Sequence, residues 1–596
     1  MKDDKYKINL IDNLSSTLNS ILTLKQSKSN AAIDEDIMTC FKILILDDVS
    51  TKILSPILKQ SSLNRNNVTL TVKLSDNKQP IDDVMAIYII TPTKENLSFL
   101  LRDMNNKTYQ NYSINLIDNV DDSSFQSFIY NIVQKDSSNI YNINVYPMNF
   151  AFYHSNVFDM DYKEPYLLLN SDNTKEEDSM MYIDEVANGL FSLMFSTKTT
   201  PEIVCRNGWF ANDIIKKIQY KFNSAFSKFP ELKNEFMEND NRSLMVIFNR
   251  ADDIPIMFHH ASSLGAMLND ICGISLSEDK KKDKDTFVVD PINDYIWNKS
   301  ITTPFYTVGE EAFLEYKKYI EEMRQFNVSK ESEGNVEQLA QESEKLATSI
   351  ENLNEKKVKG DILSKQATFY KTINENTNKR NLGQLYEVED ILLRKRASNK
   401  EITNKLQEIF SKEIKAENVN DIFRLCLINM LICKDVKESD IQNQLGKYYN
   451  KSQMEGVIHY LYQTVDRSSN QEEESNSLAK KYLKKGLNYF VKKVSSLMVT
   501  EQPSMIADIV NSLSKEKEVK GFSTYKINEK FYSVKNSGSY KNVFVFIVGG
   551  GSLAEYEYIS ELLSRNRLNV IYGCDKLYRP DDFIDEIRKL TENKQN

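Results

Sequence analysis

One stretch near the end of the chain, residues 543–577 (VFVFIVGGGSLAEYEYISELLSRNRLNVIYGCDKL), constrains the fold most strongly. Residues 543–548 form an apolar, β-branched run, which is typical of a strand buried on both faces. The three glycines at 549–551 allow a tight turn, and apolar residues at helical spacing follow. Residues 568–572 predict a second buried strand, stopped by Gly573. Strand, turn, helix and strand predict a right-handed crossover in a parallel sheet, which needs further strands from elsewhere in the chain.

The further strands are predicted far upstream. Strand patterns alternate with helical patterns in residues 1–150, which predicts a parallel α/β domain. These strand patterns cover residues 41–46, 68–72, 84–90 and 114–117. A buried run at 244–248 is predicted to pair with the strands that begin at 543 and 568. We therefore expect a discontinuous second domain, formed by residues 151–258 and 490–596.

A long segment without proline separates the two parts of the second domain. Between Pro304 and Pro503 the chain has no proline, and glycine is sparse. Because proline inside a helix costs ~3 kcal/mol or more, such a segment with 3.6-residue periodicity is predicted to be helical. Residues 259–489 are expected to form a mainly helical domain. The predicted fold class is α/β plus α, with two parallel-sheet α/β domains and a large, mainly helical insertion domain.

Composition argues against several functional classes. With 596 residues the chain is too long for one core, and its net charge of −9 does not suggest a nucleic-acid partner. No apolar run reaches the ~18 residues that a transmembrane helix needs, and the N-terminus lacks the apolar core of a signal peptide. The six cysteines are scattered without a CxxC pair, which favours a reducing compartment. We expect a cytosolic protein.

Two polar motifs have both a chemical and a structural interpretation. Asp47 and Asp48 follow the first strand and could belong to an acidic metal pocket, although a helix cap is favoured. The glycines at 549–551 could hold a phosphate at a helix N-terminus, but neither GxxxxGK[ST] nor GxGxxG is present. Glu555 and Glu557 would repel a phosphate, so a tight structural turn is favoured there.

The chain has four histidines, of which His259 and His260 are adjacent. Adjacent residues on a helix point about 100° apart and do not form a metal-binding face. HExxH spacing is also missing, so a zinc site is not favoured. No nucleophile stands out together with its base. We therefore predict no catalytic residue, no metal ligand and no cofactor.

Two apolar patterns could be binding surfaces. One set of residues falls on heptad positions a and d within a polar helical segment: Val336, Leu339, Leu346, Ile350 and Leu353. It predicts either a surface for a partner helix or a hairpin packed on its own domain. The other set could line a groove for a hydrophobic peptide, although the core of the first domain is favoured: Phe125, Ile129, Ile132, Val133, Ile140, Ile143 and Val145.

Several motifs, in the same order along the chain, resemble the SM (Sec-one/Munc-eighteen) family of syntaxin-binding vesicle-fusion regulators. The matching stretches are FKILILDDVSTKILSPIL at 41–58, VMAIYIITPTKENL at 84–97, NRADDIPIMFHHASSLGAMLNDI at 249–271, DPINDYIWNKS at 290–300, and FVFIVGGGSLAEYEYISELL with NVIYGCDKLYRPDDFI near the end. The last stretches and the one with the two histidines are most similar to the ER–Golgi, Sly-one type branch.

This resemblance implies an arch of three domains, in which helical domain 3 interrupts α/β domain 2. It implies no enzymatic activity and no cofactor. The expected partners are a syntaxin-type (Qa) SNARE of the ER–Golgi step and the assembling SNARE bundle. The protein would be a monomer, cytoplasmic and peripherally associated with ER and Golgi membranes through its SNAREs. The alternatives are an SM protein of a vacuolar or plasma-membrane step, and a phosphate- or nucleotide-binding α/β enzyme.

The resemblance also implies two binding sites. A short N-terminal peptide of the syntaxin would bind an apolar pocket of domain 1 that is formed by Phe125, Phe128, Ile129, Ile132, Val133, Ile140 and Ile143. SNARE helices would bind a helical hairpin within residues 310–400, through Val336, Leu339, Leu346, Ile350 and Leu353. By orienting these helices in advance, the hairpin would reduce the entropic cost of forming the four-helix bundle.

Overall fold

The computed structural model describes residues 7–24, 40–118, 126–131, 139–207, 211–238, 242–276, 286–330, 339–394, 399–411, 417–433, 439, 441, 445, 451–466, 502–527 and 539–592. In three of the helices, side chains are described only for residues 305–324, 356–380 and 454–463.

The first sheet is parallel and has five strands. They are β1 (Phe41–Leu46), β2 (Val68–Lys73), β3 (Ile81–Ile90), β4 (Tyr109–Leu116) and β5 (Ile140–Val145). The strand order is β2-β1-β3-β4-β5, and every neighbouring pair runs parallel. Consecutive residues of β1 and β3 are buried, which is expected for a parallel sheet that is covered on both faces. The predicted parallel α/β arrangement of these strands is confirmed.

Helices precede and connect these strands. They are α1 (Leu10–Leu22), α2 (Asp48–Leu54), α3 (Gln60–Arg65) and α4 (Lys94–Asn105), with a further short helix at 126–131. Three of them begin at polar caps, because the side chains of Asn9, Asp47 and Thr93 accept hydrogen bonds from backbone N–H groups of the first turn. These helices therefore begin where the chain supplies a polar N-cap.

The second sheet combines strands from two distant parts of the chain. The first part supplies β6 (Ala151–His154), β7 (Val157–Asp159), β8 (Glu202–Arg206) and β9 (Ser243–Asn249). Two strands that pair with each other follow, β10 (Ile274–Ser275) and β11 (Phe287–Val288). The second part supplies β12 (Phe522–Tyr525), β13 (Asn542–Val548) and β14 (Asn569–Cys574). The strand order is β12-β8-β9-β13-β14-β7-β6. The predicted pairing of the run at 244–248 is confirmed, because β9 and β14 flank β13 in parallel.

The prediction that Gly573 stops the last strand is wrong. Strand β14 continues through Gly573 to Cys574 and pairs with both β13 and β7 there. A Cβ atom on Gly573 would overlap the ring of Phe158 on β7. The glycine therefore makes room for an aromatic side chain on the neighbouring strand, which is a common reason for glycine inside a sheet.

Helices of the second region surround this sheet and continue into the helical segment. Before that segment lie α5 (Pro165–Asn170), α6 (Glu176–Ser196), α7 (Ala211–Lys228) and α8 (Pro230–Glu238). Within it lie α9 (Leu264–Ile271), α10 (Tyr295–Ser300), α11 (Phe305–Lys330), α12 (Leu339–Arg380), α13 (Leu382–Arg394), α14 (Asn399–Ser411), α15 (Val419–Ile432) and α16 (Lys451–Asp466). Helix α11 begins directly after Pro304, a residue tolerated at a helix start but not inside one. The predicted helical character of this segment is confirmed for its described residues.

The chain returns to the second sheet after the helical segment, through α17 (Met505–Ser514), α18 (Leu553–Ser564) and α19 (Pro580–Glu592). The N-terminal residues are bound to the same sheet. The Ile8 N–H donates to Asn542 Oδ1 at 3.2 Å, and Asn569 Nδ2 donates to the Ile8 carbonyl at 3.0 Å. Helix α1 packs against α6 and β6. The first helix of the chain is therefore held by elements that follow the first sheet.

Candidate functional site

Four of the residues predicted to bind a syntaxin peptide lie together at one edge of the first sheet. Phe128 and Ile129 lie on the short helix at 126–131, and Ile140 and Ile143 lie on the edge strand β5. All four contact one hydrophobic cluster beneath the sheet edge. The other predicted residues, Phe125, Ile132 and Val133, lie outside the described residues.

A β-bulge brings Ile140 and Ile143 onto the same face of β5. Side chains of a regular strand alternate, so residues three positions apart would face opposite sides. Here Ile140 pairs with Tyr112 and Ile143 pairs with Ile114, because the register shifts by one residue between the two pairs. Such an extra residue reverses the alternation that follows it. Both isoleucines therefore point to the face that the short helix covers.

The four side chains differ in how far they reach the surface. Phe128 is buried (3% exposed) and belongs to the core of the first sheet. Ile129, Ile140 and Ile143 are half-buried and pack against the same core. Phe128 therefore fits the core interpretation, whereas a peptide-binding role of the three isoleucines stays a prediction. Phe128 supports the sheet, whereas the three isoleucines form an apolar edge that solvent reaches.

Four of the five residues predicted to bind SNARE helices lie in one long helix. Leu339, Leu346, Ile350 and Leu353 belong to α12, which has 42 residues, while Val336 lies outside the described residues. Helix α12 packs against α11. In the described part of this hairpin the two helices come close together, since a Cβ atom on Gly360 of α12 would overlap the Tyr319 hydroxyl of α11.

An apolar groove that the sequence did not predict lies at the base of this hairpin. Its volume is about 860 Å³, and it is bounded by α9, α11, α12 and α13. Its walls include the aromatic residues Phe305, Tyr306, Phe313, Tyr370 and Tyr386. Tyr306 and Phe313 are 71% and 58% exposed. Their seven-residue spacing directly after Pro304 is the sequence signal that could have indicated this surface.

The backbone N–H groups of the glycine turn at 549–551 are hydrogen-bonded within the protein, that of Gly550 to the Asp575 carboxylate, so none of the three is left for a phosphate. The Gly549 N–H donates to Asp575 Oδ2 at 2.6 Å, and the Gly551 N–H donates to the Lys576 carbonyl at 2.9 Å. The Ser552 N–H donates to the Tyr572 hydroxyl at 2.9 Å. Gly550 has φ of +102°, and a Cβ atom there would overlap the Tyr578 ring. The structural interpretation of the turn is confirmed.

Glu555, in the first turn of α18, forms a buried ion pair instead of facing a ligand. Its carboxylate accepts hydrogen bonds from Arg250 Nη1 at 3.1 Å and from Arg250 Nη2 at 2.9 Å. The Tyr572 hydroxyl donates to the same carboxylate at 2.7 Å. Burial lowers the pKa of Arg250, but the Glu555 carboxylate outweighs that effect and raises it above its ordinary value.

The interpretation of Asp47 as a helix cap is also confirmed. Asp47 Oδ1 accepts from the Ser50 N–H at 2.7 Å, which caps α2. Asp47 Oδ2 accepts from the Thr91 N–H at 2.8 Å and from Asn96 Nδ2 at 2.6 Å. Asp48 points away into solvent and pairs with Lys73 at 3.0 Å. The carboxylate of Asp47 therefore joins the ends of β1 and β3.

The expectation that the histidine side chains diverge is wrong, because they do not lie on a helix. His259 Nδ1 lies 3.0 Å from Glu389 Oε2, and His260 Nδ1 lies 2.8 Å from Glu389 Oε1. Both rings therefore bind one carboxylate on α13. Across the described positions, no group of three or more His, Cys, Asp or Glu residues is arranged to hold a metal ion. Likewise, no described helix is long and apolar enough to span a bilayer.

Comparisons with known proteins match this architecture over most of its length. The sequence model of the Sec1 family matches residues 42–586. The Sec1 family domain-containing protein 1 of Mus musculus is 22% identical, over 92% of this chain and 93% of that protein. Protein SLY1 of Saccharomyces cerevisiae is 22% identical, over 92% of this chain and 91% of that protein.

A solved structure shares the fold. The crystal structure of Sly1p in complex with an N-terminal peptide of Sed5p aligns with a TM-score of 0.73 at 21% identity. The alignment covers 99% of this chain and 100% of that chain. The family match spans both sheets and the helical segment between the parts of the second sheet. The chain therefore belongs to the Sec1 family.

Proposed function

We propose that this protein is a non-enzymatic regulator of SNARE assembly. It binds a syntaxin-type (Qa) SNARE and promotes vesicle docking and fusion in ER–Golgi, intra-Golgi and retrograde transport. The observation that carries this proposal is the near-complete alignment with Sly1p, which was solved with an N-terminal peptide of Sed5p. The similarity to protein SLY1 over 92% of the chain supports the same branch of the family.

The apolar edge formed by Ile129, Ile140 and Ile143 is proposed to bind the N-terminal peptide of the syntaxin. These side chains are half-buried and packed against the core, so they are already held in place while part of each remains exposed for a peptide to cover. An aromatic side chain buried on such an edge contributes ~2–3 kcal/mol through the apolar area removed from water. Small interfaces commonly depend on a few anchors of this kind.

The hairpin of α11 and α12 is proposed to bind SNARE helices, including through Leu339, Leu346, Ile350 and Leu353. The groove at its base offers exposed aromatic side chains, Tyr306 and Phe313, to the apolar face of a partner helix. Holding two helices in register before they zipper reduces the rotational and translational entropy lost in that step. The protein would thus act as a template for assembly.

We also propose a partition into domain 1 (1–150), domain 2 (151–258 with 490–596) and domain 3 (259–489). The seven-stranded sheet supports a divided domain 2, because its strands come from both of those ranges. A monomer of this kind would reach ER and Golgi membranes through the syntaxin that it binds.

The experiment that tests the peptide site compares two neighbouring substitutions on β5. Ile143→Asp places a charge on the apolar edge, whereas Asn144→Asp places the same charge on the opposite face. Binding of fluorescent N-terminal peptides from the organism's ER–Golgi, vacuolar and plasma-membrane syntaxins is measured by anisotropy. We expect Ile143→Asp to weaken binding of the ER–Golgi peptide roughly tenfold or more. We expect Asn144→Asp to bind as the wild type does.

Circular dichroism and the thermal midpoint show whether each variant is folded. If the folded wild type binds none of the peptides, the proposed peptide site is wrong. If it prefers the vacuolar or plasma-membrane peptide, the site stands and the assigned transport step is wrong.

A further inference from the structure

Both ring nitrogens of His260 face carboxylates in the buried interior. Nδ1 lies 2.8 Å from Glu389 Oε1, and Nε2 lies 3.0 Å from Asp421 Oδ1. An ionised carboxylate only accepts hydrogen bonds, so each nitrogen must carry a hydrogen to bind its partner. The geometry therefore requires His260 to be an imidazolium, with one positive charge.

The two carboxylates are held in the ionised form by further donors. Glu389 Oε2 accepts from the His260 N–H at 2.8 Å and from His259 Nδ1 at 3.0 Å. Asp421 Oδ2 accepts from Arg380 Nε at 2.9 Å. Several hydrogen bonds to one carboxylate favour its charged form. Burial raises the pKa of Glu389, but His260 and His259 outweigh it and lower that pKa to about 2.

Other charged and titratable groups also surround His260. Arg424 on α15 forms a bidentate pair with Asp270 of α9, with both N···O distances at 2.9 Å. Its Nε donates to the Phe258 carbonyl at 2.8 Å. Asp581 of α19 faces the same cluster, and burial raises the pKa of its carboxyl. His259 Nε2 lies 2.8 Å from the hydroxyl of Tyr558 on α18.

These contacts converge on one corner of the chain. Arg380 is the last residue of α12, Asn381 turns the chain with φ of +57°, and α13 begins at Leu382. Glu389 lies on α13 and Asp421 lies on α15. A continuous series of hydrogen bonds thus runs from Tyr558, beside the second sheet, through His259, Glu389, His260 and Asp421 to the end of α12.

We infer that His260 is a positioning residue, whose imidazolium fixes the corner between α12 and α13 and thereby sets the angle of the α11–α12 hairpin. Helix α12 has 42 residues, which corresponds to a length of ~60 Å. A tilt of ~5° at the corner moves its far end by ~5 Å, about one helical turn. The inference rests on the proposed function for its consequence in SNARE binding, but the protonation of His260 and the order of the corner do not depend on it.

The pKa of His260 supports this role. Burial and the nearby Arg424 lower it, but the Glu389 and Asp421 carboxylates outweigh both and raise it to about 9. The imidazolium is therefore present at neutral pH and is lost at alkaline pH. His154 is a natural contrast, because burial lowers its pKa to about 4 and keeps the ring neutral.

The protonation state is tested by NMR of the full chain with ¹³C-labelled histidine. With four histidines in the sequence, His260→Gln and His154→Gln identify the two signals of interest. We expect His260 to be fully protonated at pH 7 and to titrate near pH 9, whereas His154 is neutral. A His260 signal that titrates at or below the ordinary ~6.5 overturns the inference.

The positioning role is tested by hydrogen exchange of the backbone and by binding. We expect His260→Gln to speed exchange at 376–390, with no change in His459→Gln, whose histidine lies on α16. We expect wild-type affinity for a soluble ER–Golgi SNARE four-helix bundle to fall about tenfold as pH rises through 9. The affinity of His260→Gln should already be low at pH 7 and should not vary with pH. Binding of the syntaxin N-terminal peptide should be the same in both proteins.

Besides the NMR result, two outcomes of the exchange and binding experiments overturn the inference. One is unchanged exchange at the corner in His260→Gln, and the other is the same pH profile of bundle binding in both proteins. If the wild type binds no bundle, the proposed SNARE-helix function of the hairpin fails. The NMR and exchange results then still decide whether His260 is charged and holds the corner.

Discussion

At the scale of single residues, buried charges in this protein are paired across large sequence separations. Arg250 and Glu555 are both fully buried and stand 305 positions apart. A buried charge is tolerated only when a partner and further hydrogen bonds replace its hydration. Glu555 also accepts from the Tyr572 hydroxyl, so the carboxylate has three donors around it. Removing its charge would leave the guanidinium of Arg250 unpaired.

We predict that Glu555→Gln destabilises the protein by about 3–5 kcal/mol. The matched control is Glu561→Gln on the same helix, because Glu561 pairs with Arg565 at 2.6 Å on the surface. An exposed pair of this kind is worth ~0.5 kcal/mol or less. Urea unfolding followed by circular dichroism measures both free energies. Similar losses in the two variants would contradict the role assigned to the buried pair.

At the scale of secondary-structure elements, one side chain joins several parts of the first sheet. Asp47 caps α2 and also binds the Thr91 N–H and the Asn96 amide, which lie just after β3 and in α4. Asp48, the next residue, is exposed and contacts Lys73 on the surface. The two aspartates have the same chemistry and neighbouring positions, so a comparison of them isolates the effect of location.

We predict that Asp47→Ala lowers the free energy of unfolding by ~2 kcal/mol or more. The cap contributes ~1 kcal/mol, and the buried donors left without an acceptor add a similar cost. Asp48→Ala should change it by less than ~0.5 kcal/mol. Chemical denaturation of both variants provides the measurement. A loss for Asp48→Ala as large as that for Asp47→Ala would contradict the stabilising role assigned to the Asp47 cap.

The elements of the first sheet illustrate what local patterns predict. Strands β1, β3 and β4 were predicted because each contains a run of apolar residues at strand spacing. The candidate peptide edge could be predicted only as a region. The bulge in β5 reverses the side-chain alternation, and this depends on pairing with β4 rather than on the composition of residues 140–145.

At the scale of the whole molecule, buried carboxyl groups make stability depend on pH. Burial raises the pKa of Asp575 and of Glu557 to about 7, and those of Asp159 and Asp253 to about 6. In the unfolded chain such groups ionise near pH ~4. Between these values the folded state binds more protons than the unfolded state, so the free energy of unfolding falls as pH rises. His260 extends this fall to higher pH. The stability that its charged ring contributes is fully present below pH ~6.5 and is lost as the pH rises through about 9.

We therefore predict that the free energy of unfolding decreases steadily from pH 6 to about pH 9. Each coupled proton contributes a slope of up to ~1.4 kcal/mol per pH unit. Asp575→Asn should flatten the slope between about pH 5 and pH 7, because an amide cannot lose the proton. Stability that rises from pH 6 to pH 9 would contradict the raised pKa values.

At acid pH the protonation of His154 is expected to lower the free energy of unfolding. Burial lowers its pKa to about 4, so the stability that its neutral ring contributes is present above ~6.5 and is lost as pH falls through about 4. Its Nε2 lies 2.9 Å from the Asn298 carbonyl, which places it at the contact between β6 and α10. The Nε2–H group still donates to Asn298 when the ring is protonated, but Nδ1 then no longer accepts from the Asn156 N–H, which lies 3.2 Å away. Acid is therefore expected to break this hydrogen bond in the turn between β6 and β7.

Local periodicity was sufficient to predict the parallel first sheet, the return of the chain to the second sheet, and the helical segment between Pro304 and Pro503. The second sheet is parallel only at its centre, since both edge pairs, β12 with β8 and β6 with β7, are antiparallel. The predicted features depend on the polarity of neighbouring residues and on proline, which act over a few positions of the chain. The family motifs could also be recognised in the sequence, because each is a contiguous stretch of residues. The resemblance they indicated agrees with the match over residues 42–586.

Tertiary packing decided the rest. It brought His259 and His260 onto Glu389, 130 and 129 positions away, and Arg250 onto Glu555. It also placed α1 against elements of the second sheet and formed the aromatic groove at the base of the hairpin. Hydrophobic spacing specifies which face of an element is buried, but not which distant element covers it. That choice depends on the pairing of buried polar groups and on shape, and both exist only once the chain has folded.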